Sequence, residues 1–166
     1  MKVLCKLIVV GVLFLASVCW GQSKTDQLAH AIADAEGFGV KHAIPTRYHN
    51  PGDIRVVDGY KFPGQKGVGK GGHIIFKNDE AGWAALRHQI DLIRSGRSKN
   101  YRMDMTINQI AHMYAARWRT WAKNVAKNLD VEPRTTLAEF FSDEPPQVEI
   151  AIDWHQIDSI LGNGHD

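Results

Sequence analysis

The chain has 166 residues, with 20 lysines and arginines against 18 acidic side chains and two cysteines. That length admits one domain with its own core, or a domain plus an appendage. The slight positive balance gives no argument for a nucleic-acid partner.

The first element is "MKVLCKLIVVGVLFLASVCWGQ". Lys2 and Lys6 precede an apolar run from Leu7 to Val18, and Cys19-x-Gly21 supplies small positions before a cut near Gln22. This is the layout of a secretory signal over residues 1–21. The run is short for a permanent bilayer span, so an uncleaved membrane anchor is the lesser alternative. Both cysteines, Cys5 and Cys19, leave with the signal, and so do two lysines. The exported chain is then neutral, holds no thiol, and folds on its core alone in the periplasm or outside the cell.

Next, "QLAHAIADAEGFG", Gln27 to Gly39, has the period of an amphipathic helix that stops at a glycine. Leu28, Ile32 and Ala35 form its apolar stripe, with His30 and Asp34 opposite. A loop bearing His42, His49 and "NPGDIR" follows. "DIRVVDGYKF" centres on Asp58-Gly59, a dipeptide that favours a tight hairpin turn. "GQKGVGKG", Gly64 to Gly71, reads as a loop at the rim of a cleft, and "HIIF", His73 to Phe76, as a third strand. "NDEAGWAALRHQIDLIRSG" has Asn78 as N-cap, Gly96 as stop and a Trp83, Leu86, Ile90, Ile93 stripe. "TINQIAHMYAA" opens on a Thr106/Gln109 capping box. "WRTWAKNVAKNL" carries Trp118, Trp121, Val125 and Leu129 on one side, and Thr136 starts "TLAEFF". Pro145-Pro146 marks a boundary, and an acidic segment follows with one further helix expected around Trp154. The fold class is α+β: a mostly helical domain over 22–141, a small hairpin or sheet, and an acidic extension over 142–166.

Three features invite a chemical reading that their context weakens. Gly64 to Gly71 nearly fits a phosphate-binding loop, but Gly71 stands where the magnesium-binding Ser or Thr would be. No nucleotide is therefore expected. His42 and His49 lie seven residues apart without a tight partner, which is poor zinc spacing. The alternating arginines and tryptophans of "RWRTW" suggest nucleic acid or a membrane surface, but Trp118 and Trp121 fall at helical core spacing. No metal or cofactor is expected.

Glu36 differs from these. It ends the first helix on the edge of the apolar stripe, where desolvation and the negative end of the helix dipole both disfavour its charged form. A carboxyl protonated near neutral pH is what cleavage of a glycosidic bond requires, because the leaving oxygen must receive a proton.

"AIADAEGF", "NPGDIR", "GHIIFKNDEAGWAAL", "MTINQIAHMYA" and "NVAKNLDV" occur in that order. Together they resemble the lysozyme-like superfamily, in particular phage structural lytic transglycosylases and their bacterial relatives. That family runs A-x-x-E-G-F/Y, N-N-P-G-N-I/L-R, a G-x-x-x-F strand, G-x-x-A-L, T-L-x-x-x-I-x-x-Y-A and V-x-x-x-L-G-V. The resemblance covers Gln27 to Phe141. It implies a lysozyme-type fold, peptidoglycan glycan strands as substrate, and Glu36 as the catalytic acid. The chain departs from the pattern at His49, Asp53 and Asp130.

Asp53 adds a carboxylate beside the presumed cleft and leaves two mechanisms open. Glu36 alone implies a lytic transglycosylase that cuts MurNAc–GlcNAc bonds and closes a 1,6-anhydro ring. Asp53 as a second carboxylate implies a hydrolytic muramidase. Asn50 and Arg55 are expected to donate to sugar hydroxyls or an acetamide. Tyr60, Phe62 and Tyr114 are the aromatics expected near the cleft, with Tyr114 a candidate hydrogen-bond partner of Glu36. The rival class is a non-catalytic glycan- or envelope-binding module. The enzyme is expected to act as a monomer, with the C-terminal extension free for an envelope partner.

Overall fold

The computed structural model describes residues 22–57 and 59–144. The expected signal, Asp58, the Pro145-Pro146 boundary and the helix expected around Trp154 lie outside the described residues. The first helix, α1, runs Lys24–Glu36. It begins on Ser23, whose hydroxyl accepts from the Asp26 N–H at 3.0 Å. It ends on Gly37 at φ 79°, where the Phe38 N–H reaches back to the Ala33 carbonyl at 2.9 Å. That left-handed stop is what places Glu36 at the last helical position.

A short helix, α2, spans Ile44–Arg47 with Pro45 in its first turn, inside the segment expected to be a loop between His42 and His49. Two strands follow, β1 (Gln65–Val68) and β2 (Ile74–Phe76), paired antiparallel with a register shift between Gln65 and Gly67. On either side of the expected Asp58-Gly59 hairpin turn, Val57 and Tyr60 form an isolated antiparallel bridge. The 54–56 segment lies along the start of β2. The Ile74 N–H donates to the Ile54 carbonyl, the Val56 N–H donates to the Gly72 carbonyl, and Arg55 bridges His73. The stretch expected to be a rim loop supplies β1 and a 3₁₀ turn over Lys70–Gly72, so the helix that a phosphate loop needs does not follow it.

The remaining helices are α3 (Asp79–Arg94), α4 (Ile107–Tyr114), α5 (Trp118–Asn128) and α6 (Leu137–Phe141). The starts of α3, α4 and α6 fall where the caps predict, while α5 begins after Arg117 without a side-chain cap. Asn78 accepts from the Ala81 N–H, and both Thr106/Gln109 and Thr136/Glu139 form reciprocal capping boxes. The main core gathers the apolar stripes of these helices with that of α1, including Leu28, Leu86, Ile90, Ile110 and Val125. A smaller core under the strands holds Phe62, Ile74, Phe76, Ala81 and Ala85, and Ile54 packs against both. The result is an α+β domain whose strands lie beside the helices rather than between them.

The ordered packing runs past Phe141. Glu144 accepts from the Lys24 backbone N–H and pairs with Arg94 at 2.9 Å, and Asp143 pairs with the Lys24 ammonium at 2.6 Å. Asp143 and Glu144 thus contact α1 and α3. Among the described residues no helix is long and apolar enough to cross a membrane.

Candidate functional site

The C-terminal end of α1, the Asn50–Arg55 turn and the facing parts of α4 and α5 meet at Glu36. Asn50 builds the turn. It is fully buried; its amide nitrogen donates to the Ile54 and Ile74 carbonyls at 2.8 and 2.9 Å, and its oxygen accepts from the Ile54 N–H at 2.8 Å. Both donors are committed inside the protein. Asn50 is therefore not a sugar donor; it ties the turn to β2. The Asp53 N–H closes the turn on the Asn50 carbonyl at 2.9 Å.

Glu36 is partly buried, and Trp121 donates its indole N–H to the Glu36 Oε1 at 2.7 Å. Burial is the main cause that pushes the carboxyl from 4.5 up to about 7. The indole bond and Arg55 oppose that rise, and the Asp53 charge adds to it. Burial likewise raises Asp53, against the opposing pull of His73 and Arg55. His73 Nδ1 lies 2.8 Å from Asp53 Oδ1, yet among the described residues no donor is aligned on that buried oxygen. Asp53 thus sits beside His73, the residue that immediately precedes β2, while the exposed Arg55 supplies positive charge to both carboxylates.

Tyr114 comes to the site in a different role from the one expected. Its hydroxyl donates to the Gly52 carbonyl rather than to Glu36, and its ring lies 5.0 Å from that of Trp121. Phe62 is 2 % exposed and packs edge-on against Phe76, so it is a core residue and not a cleft aromatic. Tyr60 is exposed, contacts the Phe62 ring and stacks 6.2 Å from His88 of α3. Its contacts place it over the strand-side core. Trp121 is the site residue that the helical spacing hid. It is a core residue, as expected, but a buried indole N–H needs an acceptor, and that requirement was the available signal.

The three departures from the family pattern share a backbone property. His49, Asp53 and Asp130 have φ of 53°, 47° and 53°. This is the left-handed region, which glycine, asparagine and aspartate enter more readily than other residues. Among the described residues no group of three or more His, Cys, Asp or Glu side chains is arranged to hold a metal ion. Comparison of this chain with protein-family models, curated proteins and solved structures finds no match.

Proposed function

We propose that this chain is an exported, lysozyme-like enzyme that cleaves peptidoglycan as a lytic transglycosylase. The observation that carries the reading is the Glu36 carboxyl, partly buried at the end of α1 beneath the Trp121 indole, where burial pushes it up to about 7. Such a group is an acid matched to neutral conditions. Glu36 gives its proton to the glycosidic oxygen as the bond from the sugar's anomeric carbon breaks. The 6-hydroxyl of the same sugar then attacks that carbon and returns its proton to Glu36, closing the 1,6-anhydro ring. Arg55 supplies positive charge beside the site. The left-handed backbone at His49, Asp53 and Asp130, where the family pattern carries asparagine or glycine, supports the family reading.

Asp53 favours a second reading, a hydrolase, because its charge is felt at Glu36. Digestion of purified sacculi separates the two. Mass spectrometry should find 1,6-anhydro muropeptides. Reducing-end products alone would overturn the transglycosylase reading and make Asp53 the water-activating group, and no cleavage at all would favour a binding module.

A further inference from the structure

Trp121 touches Glu36 through one oxygen only. Its indole N–H donates to Oε1 at 2.7 Å, and an indole nitrogen has a donor and no acceptor. In a neutral carboxyl group the carbonyl oxygen is the better acceptor, and the hydroxyl oxygen carries the proton. An oxygen fixed under an N–H is therefore the carbonyl oxygen of the acid form. Without such a contact, rotation about the last side-chain bond of glutamate would exchange the two oxygens freely.

The indole is in no position to follow a wandering carboxyl. Trp121 is 5 % exposed and belongs to the main core. The Tyr114 ring lies against it, and the Tyr114 hydroxyl is anchored on the Gly52 carbonyl. The same frame therefore fixes the indole and the turn that carries Asp53 and Arg55. Among the described residues the buried side-chain oxygen without a partner is Asp53 Oδ1, not Oε2 of Glu36. The indole bond is made to Oε1, and Glu36 as a whole is only partly buried, so Oε2 is the oxygen available to carry the proton.

We infer that Trp121 is a positioning residue that confines the Glu36 proton to Oε2 and so selects the oxygen that acts as acid. The other titratable groups facing Glu36 are Asp53 and Arg55 from the turn and Tyr114 from α4, with His73 behind Asp53. None of them holds Oε1. The kinetic consequence rests on the function proposed above; the assignment of the proton does not.

The test is a pH titration followed by NMR. In the wild-type chain the Trp121 indole resonance should shift with a midpoint near 7 as Glu36 ionises. In Glu36→Gln it should stay flat over that range. Trp121→Phe removes the donor and keeps an apolar ring, so the Glu36 carboxyl carbon should titrate at least about half a unit higher. On sacculi, Trp121→Phe should lose about 10–100-fold in kcat with little change in KM, and its basic limb should move upward. An indole resonance indifferent to Glu36 overturns the inference without any tryptophan variant. So does an unchanged midpoint in Trp121→Phe. Intact titrations in a protein that cleaves no peptidoglycan would leave the proton assignment standing and sink the glycosidase reading instead.

Discussion

Gly82 of α3 lies so close to His49 that a Cβ on the glycine would sit 1.9 Å from the His49 carbonyl oxygen and 2.7 Å from a Pro51 ring carbon. The helix therefore seats the turn of the candidate site by direct backbone contact, and only a residue without a side chain permits that approach. Gly82→Ala should gain up to about 1 kcal/mol of helix propensity. Forcing helix and turn apart should cost more, about 1–3 kcal/mol or above. Gly67→Ala is the control, because nothing lies within 4 Å of its Cβ position. Urea denaturation should show a loss for the first variant and little change for the second. Equal stability of the two would mean that the turn yields easily.

Asn50 leads to a prediction opposite to the one its sequence position suggests. It satisfies three backbone groups inside the protein, and each buried group left without a partner costs about 1–3 kcal/mol. Asn50→Ala should therefore lose about 3 kcal/mol in urea denaturation. Any fall in activity should track the fraction unfolded, with KM unchanged at temperatures where the variant is folded. A raised KM in a fully folded variant would restore Asn50 as a substrate contact.

What could be read in advance divides by range. Helix starts are local events, and the side chains of Asn78, Thr106 and Thr136 announce them within three residues. Glu36 stood out for the same reason, because its stripe and its terminating glycine are its own neighbours. The misses depend on distant partners. β1 holds Lys66 and Gly67 in four residues, has no apolar alternation, and is a strand only because β2 pairs with it. The Asn50 amide looks available in a Pro-Gly turn until β2 closes over it. The acceptor for the Trp121 indole lies 85 residues earlier in the chain, so no window of sequence could reveal the bond. The helical stripe gave the tryptophan's burial but not its polar end.

The raised Glu36 carboxyl also has a signature in stability. The folded chain holds this proton up to about pH 7, against an ordinary value of 4.5. The folded state thus binds the proton more tightly than the unfolded one. The resulting stabilisation is full below about pH 4.5, falls as the pH rises, and is gone above about 7. At about 1.4 kcal/mol per unit the ceiling is about 3 kcal/mol, and solvent reaching the partly exposed side chain reduces it to about 1–2. Glu36→Gln, which stays neutral and still accepts from the indole, should match the wild type at pH 4 and exceed it at pH 8. Unfolding midpoints at the two pH values check this. An offset of the same size at both would show that the carboxyl titrates normally.

The remaining prediction concerns turnover. Glu36→Gln preserves size and the acceptor for Trp121 but has no proton to give, so the fold should survive while cleavage of sacculi collapses. General acid catalysis is worth about 10²–10⁴-fold, which sets the least loss expected. Asp34 is the matched control two residues earlier on α1. It is exposed, and its carboxylate accepts from the Asn128 amide at 3.2 Å. Asp34→Asn removes the same formal charge from the same helix without touching the site, and should keep activity within about twofold, as surface changes leave stability nearly untouched. The pH profile sharpens the comparison. For an acid that must be protonated, the wild-type rate should fall as pH rises through about 7, and the Asp34→Asn profile should overlay it. If both variants lost activity together, the cause would be the charge of the helix end rather than a proton on Glu36. If Glu36→Gln kept near-normal cleavage, Glu36 would be a boundary carboxylate that happens to sit in a half-buried place, and the binding-module reading would take precedence.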